Sequence, residues 1–349
     1  MSPSKLMNRF PWAKSPLISN GPMLGAASAQ LATEVTKAGG FGFLPSTADL
    51  SPNSAHIKTL SSNLEEARTL LGADQPADGP LRVGTSFITG HQSIGHFTET
   101  ALPLLAKHRP AAVWLFAPDG DVKPHRSIIA ALKGLDVPPV VFVQVGNVAA
   151  AREAVLDGAD VLVTQGVDAG GHQFRQGAGI VSFVPEVRTM LEKEFGDKDI
   201  SIVAAGGIAD GRGVAGALAL GAEGVFTVAT ESIYPQFRKD IVLGAVDGGV
   251  STLKSPFNDR INNSTLWGPL YDGRAIIGPL HNKFIAGASL EECQRSLKED
   301  YSQEDATQII NTWAGTGVGL INKAQPAGEI VREVREEAKA ALQRAAGLV

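Results

Sequence analysis

Short, mostly apolar runs alternate with longer amphipathic segments through the first two thirds of the chain. Several of these runs are apolar at nearly every position, which is typical of strands buried on both faces. The pattern predicts eight strands before residue 235: PLISN (16–20), FGFLP (41–45), LRVGTSFI (81–88), AAVWLFA (111–117), PVVFVQV (139–145), DVLVTQ (160–165), SIVAAGG (201–207) and GVFTVAT (224–230).

Helix-compatible segments separate these predicted strands. The segments span residues 27–40, 54–72, 94–110, 123–136, 147–160, 184–197 and 210–223. Eight β/α units in about 220 residues come close to the ~250 residues of a typical (β/α)8 barrel. The sequence therefore predicts the α/β class and a (β/α)8 TIM barrel. A doubly wound open sheet is the alternative, because strand order cannot be read from sequence.

The last part of the chain, residues 235–349, has a different character. It begins with the Asn-, Pro- and Gly-rich stretch SPFNDRINNSTLWGPLYDG and then becomes helical in SLEECQRSLKEDY and VREVREEAKAALQRAAG. The charges on the final segment favour a solvated surface helix. We expect a barrel of residues 1–234 and an added C-terminal helical subdomain of residues 235–349 that packs on it, or one continuous domain.

Composition limits the classes of partner. Of 349 residues, 44% are hydrophobic and 19% are charged, which supports a sizeable core and excludes a disordered chain. The net charge is −5 and no basic run occurs, so we expect no nucleic-acid partner. No apolar stretch approaches the ~20 residues of a membrane helix, so we expect no membrane span.

The single cysteine, Cys293, permits no internal disulfide and suits a reducing compartment. The N-terminus lacks the apolar core of a secretory signal. We therefore predict a cytoplasmic location. The basic residues Lys5, Arg9 and Lys14 precede the first acidic residue, Glu34, so a mitochondrial location is the alternative.

Two predicted strand ends suit a phosphate group. Gly206 and Gly207 follow the seventh strand, where backbone N–H groups and the start of the next helix can approach an anion. Thr230 ends the eighth strand and adds a hydroxyl donor. The loops after strands seven and eight are a frequent phosphate site in barrels. Glycines that merely close a turn are the alternative.

A histidine follows the sixth strand in VTQGVDAGGHQFRQG. Gly170 and Gly171 let the backbone lie against a flat ligand, and His172 can act as a general base near neutral pH. A structural loop histidine is the alternative. His91, just past the third strand, is the reserve base, and His96 and His281 could also approach the mouth of the barrel.

Two further positions face the same end of the predicted barrel. Pro22 and Met23 follow the first strand and can aim Met23 at the barrel mouth, although an ordinary turn also explains them. Gln144 ends the fifth strand, where its amide can bind a heterocycle edge or an internal partner. A GxxxxGKS/T phosphate loop, an HExxH motif, a GxSxG elbow and metal-ligand spacing are absent from the sequence, so we predict no metal site.

Three motifs together resemble the nitronate monooxygenases, formerly called 2-nitropropane dioxygenases. They are PLISNGPMLGAAS, QGVDAGGHQF and VAAGGIADGRGVAGALALGAEGVFTVAT, and WAGTGVGLI at 313–321 is a weaker match. The resemblance covers about residues 11–325. Two stretches depart from the family pattern: VAT stands where the family often has MGT, and TSFITGHQ lacks the asparagine of many relatives.

The resemblance implies an FMN-dependent barrel that oxidises alkyl nitronates (or nitroalkanes) with molecular oxygen to carbonyl compounds and nitrite. By position, His172 matches the catalytic base. The implied flavin contacts are Asn20, Gly21, Pro22, Met23, Gln144, Gly171, Gly206 and Gly207, with Ala229 and Thr230 in the phosphate turn. An NAD(P)H-dependent reductase of quinones or enoyl thioesters is the nearest alternative. A flavin-free aldolase or isomerase, or a binding module, is more distant, and the oligomeric state is left open.

Overall fold

Eight parallel strands form one sheet in the computed structural model, which describes residues 5–76, 78–120, 122–227 and 232–348. From the second strand of this sheet onward, each strand pairs with the following one, and the last pairs with the first. A parallel bridge between Ser19 and Phe41 joins the remaining two edges. The strands are β1 (Leu17–Asn20), β2 (Gly42–Thr47), β3 (Leu81–Ile88), β4 (Pro110–Phe116), β5 (Val140–Val145), β6 (Val161–Gln165), β8 (Ser201–Ala205) and β9 (Gly224–Thr227). Strand β7 (Gly171–Phe174) belongs to a second sheet, described below.

This strand order confirms the predicted (β/α)8 barrel, because a doubly wound sheet reverses its strand order in the middle. Helices lie between successive strands, and a short helix precedes β1. They are α1 (Lys5–Arg9), α2 (Ala29–Lys37), α3 (Ala55–Leu71), α4 (Leu102–His108), α5 (His125–Lys133), α6 (Val148–Asp157), α7 (Ile180–Glu194) and α8 (Gly211–Ala219). Side chains of Ser28, Ser54, Asn147 and Asp210 cap the first N–H groups of α2, α3, α6 and α8.

Successive side chains of a strand point to opposite faces of the sheet, so the apolar residues form two layers. In β5, Val141 and Val143 belong to the layer between the sheet and the helices, whereas Phe142 belongs to the barrel interior. Phe10, which follows α1, lies at the N-terminal ends of the strands, where its ring packs 4.2 Å from that of Phe41. Side chains therefore fill the barrel interior at the N-terminal ends of the strands, and the barrel is open at their C-terminal ends.

Residues 235–348 add helices and a second sheet. The helices are α9 (Gln236–Gly244), α10 (Gly248–Ser251), α11 (Phe257–Arg260), α12 (Pro279–Ile285), α13 (Leu290–Glu299), α14 (Gln303–Ile309) and α15 (Ala327–Ala346). The second sheet is antiparallel, in the order β10 (Thr252–Ser255), β11 (Tyr271–Ile276), β7 (Gly171–Phe174). Because β7 comes from the segment after β6, this sheet ties the extension to the barrel.

The final helix, α15, has one buried face, unlike the solvated surface helix expected from its charges. Ala327, Val331, Val334 and Ala338 recur at helical spacing and are buried. The helix packs against α8 and α2, and the buried guanidinium of Arg335 donates to the backbone oxygens of Pro16, Ala38 and Gly39. It thereby fills the place between the last and first helices of the barrel. The expected boundary at residue 235 stays a prediction.

We expect the free energy of unfolding to fall as the pH drops, because two imidazoles that are buried and neutral in the folded protein gain a proton when the chain unfolds. Burial lowers the pKa of His125 to about 4, and its Nε2 hydrogen bonds to Thr89 Oγ1 over 2.9 Å. Burial lowers the pKa of His281 to about 4 as well. In the unfolded chain the pKa of a histidine is ~6.5, so each group's contribution to the free energy of unfolding is complete above that pH. The contribution is lost as the pH falls towards ~4, and it amounts to on the order of 3 kcal/mol per group.

Urea unfolding across this pH range measures the effect. His125→Gln should flatten the pH dependence of the free energy of unfolding, whereas His96→Gln, at an exposed position, should leave it unchanged. The same pH dependence in the wild type and His125→Gln would contradict the prediction.

Candidate active site

A cavity of about 890 Å³ opens at the C-terminal ends of the barrel strands. This volume lies within the ~300–1,000 Å³ of typical ligand pockets. Eight of the sequence-predicted site residues line it, namely Gly21, Pro22, Met23, Gln144, Gly171, His172, Gly206 and Gly207. Ala229 and Thr230 lie outside the described residues.

Asn20 is not among the residues that line the cavity. It is buried in β1, and its amide cross-links two strands: Nδ2 donates to Phe43 O over 2.8 Å, and Oδ1 accepts from Phe43 N over 2.9 Å. These bonds hold β1 against β2 next to the bridge that closes the barrel. Its predicted flavin contact stays a prediction.

A relay of amide side chains lies on the cavity floor. Trp114 Nε1 donates to Gln144 Oε1 over 3.2 Å, and Gln144 Nε2 donates to Gln165 Oε1 over 2.6 Å. Gln165 Nε2 then donates to the backbone oxygen of His172 over 3.2 Å. Gln144 thus has internal partners and also faces the cavity, and its contact with a heterocycle edge stays a prediction. Gln165 was not predicted from the sequence, although it is the last residue of β6 and Gln144 is the last but one of β5.

The turn after β8 is a cradle of backbone donors. Gly206 and Gly207 have φ of 96° and 75°, a region that favours glycine. Among the described residues, none accepts a hydrogen bond from the N–H groups of Gly206, Gly207 and Ile208. Successive unpaired N–H groups of this kind suit an anion, and phosphate binding at this turn stays a prediction.

One detail of this turn differs from the sequence-based expectation that the start of α8 approaches the anion. Carboxylates take the first N–H groups of α8: Asp210 accepts from Gly213, and Glu337 accepts from Gly211 over 3.0 Å. The turn, and not the helix end, therefore offers the free donors. A Cβ at Gly207 would meet Asp168 Cβ at 2.8 Å, so the first obstacle to a side chain is the neighbouring loop and not a ligand.

His172 lies on β7 and is held from three sides. Its Nε2 lies 2.7 Å from Asp259 Oδ1, and its ring stacks on Trp267 at 3.8 Å and 12°. The ring of Trp313 is 4.7 Å away. Among the described residues, Nδ1 has no hydrogen-bond partner. The imidazole is therefore fixed through one nitrogen, and the other is available for proton transfer.

The two glycines before His172 have different roles. A Cβ at Gly170 would meet the backbone of Ala314 and Gly315 at 2.7 Å, so this glycine allows close packing against a distant loop. A Cβ at Gly171, where φ is 70°, would meet no atom within 4 Å. Both glycines line the cavity, but only the second leaves room for a Cβ, and its contact with a flat ligand stays a prediction.

The reserve histidines do not line the cavity. His91 Nδ1 bonds to Ser93 Oγ over 2.7 Å, and His96 pairs with Glu99. His281 is buried against Asn258. His172 is the one cavity histidine in the part of the chain that the structure describes.

Several site residues were missed because they come from the extension. Trp267 and Trp313 line the cavity beside His172, and Asp259 contacts His172 from α11. Tyr234, the last residue before the extension, also lines the cavity and accepts a hydrogen bond from Trp313 N over 2.8 Å. Burial raises the pKa of Tyr234, so its hydroxyl keeps its proton at neutral pH. The nearest sequence signals were the tryptophans in NNSTLWGP and WAGTG.

A histidine after β6, unpaired backbone N–H groups after β8 and a cavity at the strand ends together resemble the active site of a (β/α)8-barrel enzyme. The model of the nitronate monooxygenase family matches residues 8–337, and the chain belongs to this family. The chain is 47% identical to a nitronate monooxygenase from Neurospora crassa, over 98% of this chain and 94% of that protein. The family predicted from the sequence motifs is thereby confirmed.

Two solved structures share the fold. FabK from Thermotoga maritima superposes with a TM-score of 0.74 at 21% identity over 100% of both chains. A nitroalkane oxidase from Streptomyces ansochromogenes gives a TM-score of 0.71 at 22% identity over 98% of this chain and 100% of the other. The family is one of flavoenzymes, and the protein is an oxidoreductase. Among the described residues, no helix is long and apolar enough to cross a membrane.

Proposed function

We propose that this enzyme uses FMN and molecular oxygen to oxidise alkyl nitronates, or the nitroalkanes from which they form, to carbonyl compounds and nitrite. The observation that carries the proposal is the position of His172, paired with Asp259 and open at Nδ1, in the same cavity as the glycine cradle. The relative from Neurospora crassa, itself named a nitronate monooxygenase, supports the same substrate class.

The described residues fit FMN. The unpaired N–H groups of the 206–208 turn suit its phosphate, and a single cradle suits one phosphate better than the two of a dinucleotide. The isoalloxazine ring fits near Met23, Gln144 and Gly171, where the cavity wall is partly bare backbone. Bound FMN supplies the redox chemistry, taking electrons from the substrate and passing them to oxygen.

The protein contributes proton transfer, orientation and exclusion of water. With a neutral nitroalkane, His172 takes the α-proton, the C–H electron pair moves into the nitro group, and the product is the nitronate. With a nitronate already formed, His172 orients the anion. The rings of Trp267 and Trp313 pack beside the imidazole and shield it from water, leaving the His172 side chain 11% exposed. A cytoplasmic location suits the buried free thiol of Cys293.

The test begins with the visible spectrum of the purified protein, which should show a bound flavin. Acid precipitation should release it as free FMN in stoichiometric amount. Pre-formed nitronate in air should then drive oxygen uptake and nitrite release without NADH. FAD as the main species, or a covalent flavin, would contradict the cofactor assignment.

The nearest alternative has its own outcome. If NADH bleaches the flavin rapidly under anaerobic conditions and nitronates are not oxidised, the protein is a reductase on the same barrel. A colourless protein that stays active on a phosphorylated substrate would favour an aldolase or isomerase.

A further inference from the structure

Asp259 is the one charged side chain, among the described residues, that hydrogen bonds to the imidazole of His172. The Nε2–Oδ1 distance is 2.7 Å, and both side chains are largely buried, with exposed fractions of 11% for His172 and 13% for Asp259. A carboxylate accepts and does not donate, so Nε2 carries the proton in this pair. The neutral ring then has its lone pair on Nδ1.

The two partners are held by the same small sheet. Asn258, next to Asp259, donates through Nδ2 to Leu253 O over 3.1 Å and to Gly273 O over 2.8 Å. Gly273 is the register partner of His172 in the β11–β7 pair. The position of Asp259 relative to His172 is therefore set by backbone pairing and not by a flexible loop.

A second buried contact fixes the same helix. His281 Nδ1 accepts from Gly278 N over 3.1 Å, so its Nε2 carries the proton that it donates to Asn258 Oδ1 over 2.5 Å. Every polar atom of the Asn258 side chain thus has a partner. This arrangement restrains α11 immediately beside the carboxylate.

The other charged side chains of the small sheet have different partners. Asp272 is paired with Lys254 and Arg175, and the guanidinium of Arg274 donates to Val167 O. They do not contact the imidazole. The charge that acts directly on His172 comes from α11 alone among the described residues.

We propose that Asp259 is a positioning residue that holds His172 in the tautomer and orientation in which Nδ1 removes the α-proton of a neutral nitroalkane. This inference rests on the proposed function. In the step, the C–H bond breaks, its electron pair forms the nitronate, and the proton passes to Nδ1. The carboxylate stabilises the imidazolium that results. Trp267, stacked on the ring, prevents it from turning.

The experiment compares Asp259→Asn with Asp259→Glu and with Asp197→Asn, which removes an exposed carboxylate elsewhere. Each flavin-loaded variant is assayed with a neutral nitroalkane and with the pre-formed nitronate of the same compound, over a range of pH. Asp259→Asn should lower kcat/KM for the nitroalkane by about 10–100-fold, part of the ~10²–10⁴-fold that general-base catalysis is worth. Oxidation of the nitronate should change less than about threefold.

Two further readouts separate positioning from a loss of structure. Because the asparagine no longer stabilises the imidazolium, the acidic limb of the nitroalkane pH profile should move to lower pH in Asp259→Asn and not in Asp259→Glu. Nitrogen-15 NMR of histidine-labelled protein, with or without flavin, should show His172 protonated at Nε2 in the wild type and lose that preference in Asp259→Asn.

Each of the remaining outcomes tests either the positioning role of Asp259 or the proposed function. If Asp259→Asn matches Asp197→Asn on both substrates, or loses equal activity on both, the positioning role is wrong while wild-type nitronate oxidation still upholds the proposed function. If Asp259→Asn does not fold, the positioning role is tested by the His172 tautomer in the wild type and by the pH profile of Asp259→Glu with the nitroalkane. A wild type that oxidises neither substrate overturns the proposed function itself.

Discussion

Replacing His172 with alanine is expected to lower turnover of a neutral nitroalkane by about 10²–10⁴-fold, the usual worth of a general base. The flavin should stay bound, because the predicted phosphate donors are backbone N–H groups of the 206–208 turn. Oxidation of the pre-formed nitronate should suffer much less, since no C–H bond has to be broken. Stopped-flow rates of flavin reduction with the two substrates, together with the flavin-to-protein ratio, measure these effects.

His91→Ala is the matched control, because His91 was the reserve base and does not line the cavity. It should leave both rates unchanged. An equal loss on nitroalkane and nitronate in His172→Ala would indicate that the imidazole binds the anion and does not abstract a proton. Full activity on both substrates would remove His172 from the mechanism.

The barrel could be predicted because its signals are local. A buried parallel strand is apolar on both faces, so VVFVQV at 140–145 indicates a strand without reference to any partner. Helix starts such as Asn147 and Asp210 are equally local, since the cap bonds N–H groups two or three residues on. Short connections then leave few arrangements for such units, and the barrel is one of them.

The extension could not be predicted in the same way. The strand that carries His172 is four residues long, contains two polar residues and pairs with β11, about a hundred residues further on. Asp259 is 87 residues from the histidine that it contacts. Neither pairing leaves a periodic pattern in the sequence, so the segment after β6 was interpreted as a loop and the carboxylate was missed.

The charge pattern of α15 misled for a different reason. Glu333, Glu336 and Glu337 occupy one side of the helix, and the small residues of the other side give a weak apolar signal. The buried Arg335 adds to the polar character, although its charge is met by three backbone oxygens. Small and polar residues at an interface therefore concealed a helix that belongs to the barrel wall.

The second large effect is expected for Gly207→Ala, compared with Gly171→Ala. Both positions have a left-handed backbone, with φ of 75° and 70°, so alanine costs about 1–2 kcal/mol of backbone strain at each. Only at Gly207 does the new methyl group meet an atom, Asp168 Cβ at 2.8 Å. Asp168 cannot retreat easily, because Thr316 donates to it from both N and Oγ1 over 3.0 Å.

In the flavin-free protein, Gly207→Ala should therefore lower the free energy of unfolding by about 1–3 kcal/mol more than Gly171→Ala does, as overpacking of a tight contact typically costs. Its flavin affinity should fall too, because the unpaired N–H groups of the turn move with the strained backbone. In Gly171→Ala the methyl group enters the open cavity, so its further effect should be confined to flavin affinity. Urea unfolding without flavin and fluorescence titration with FMN measure the two quantities, and equal unfolding free energies in the two variants would contradict the role given to the Asp168 contact.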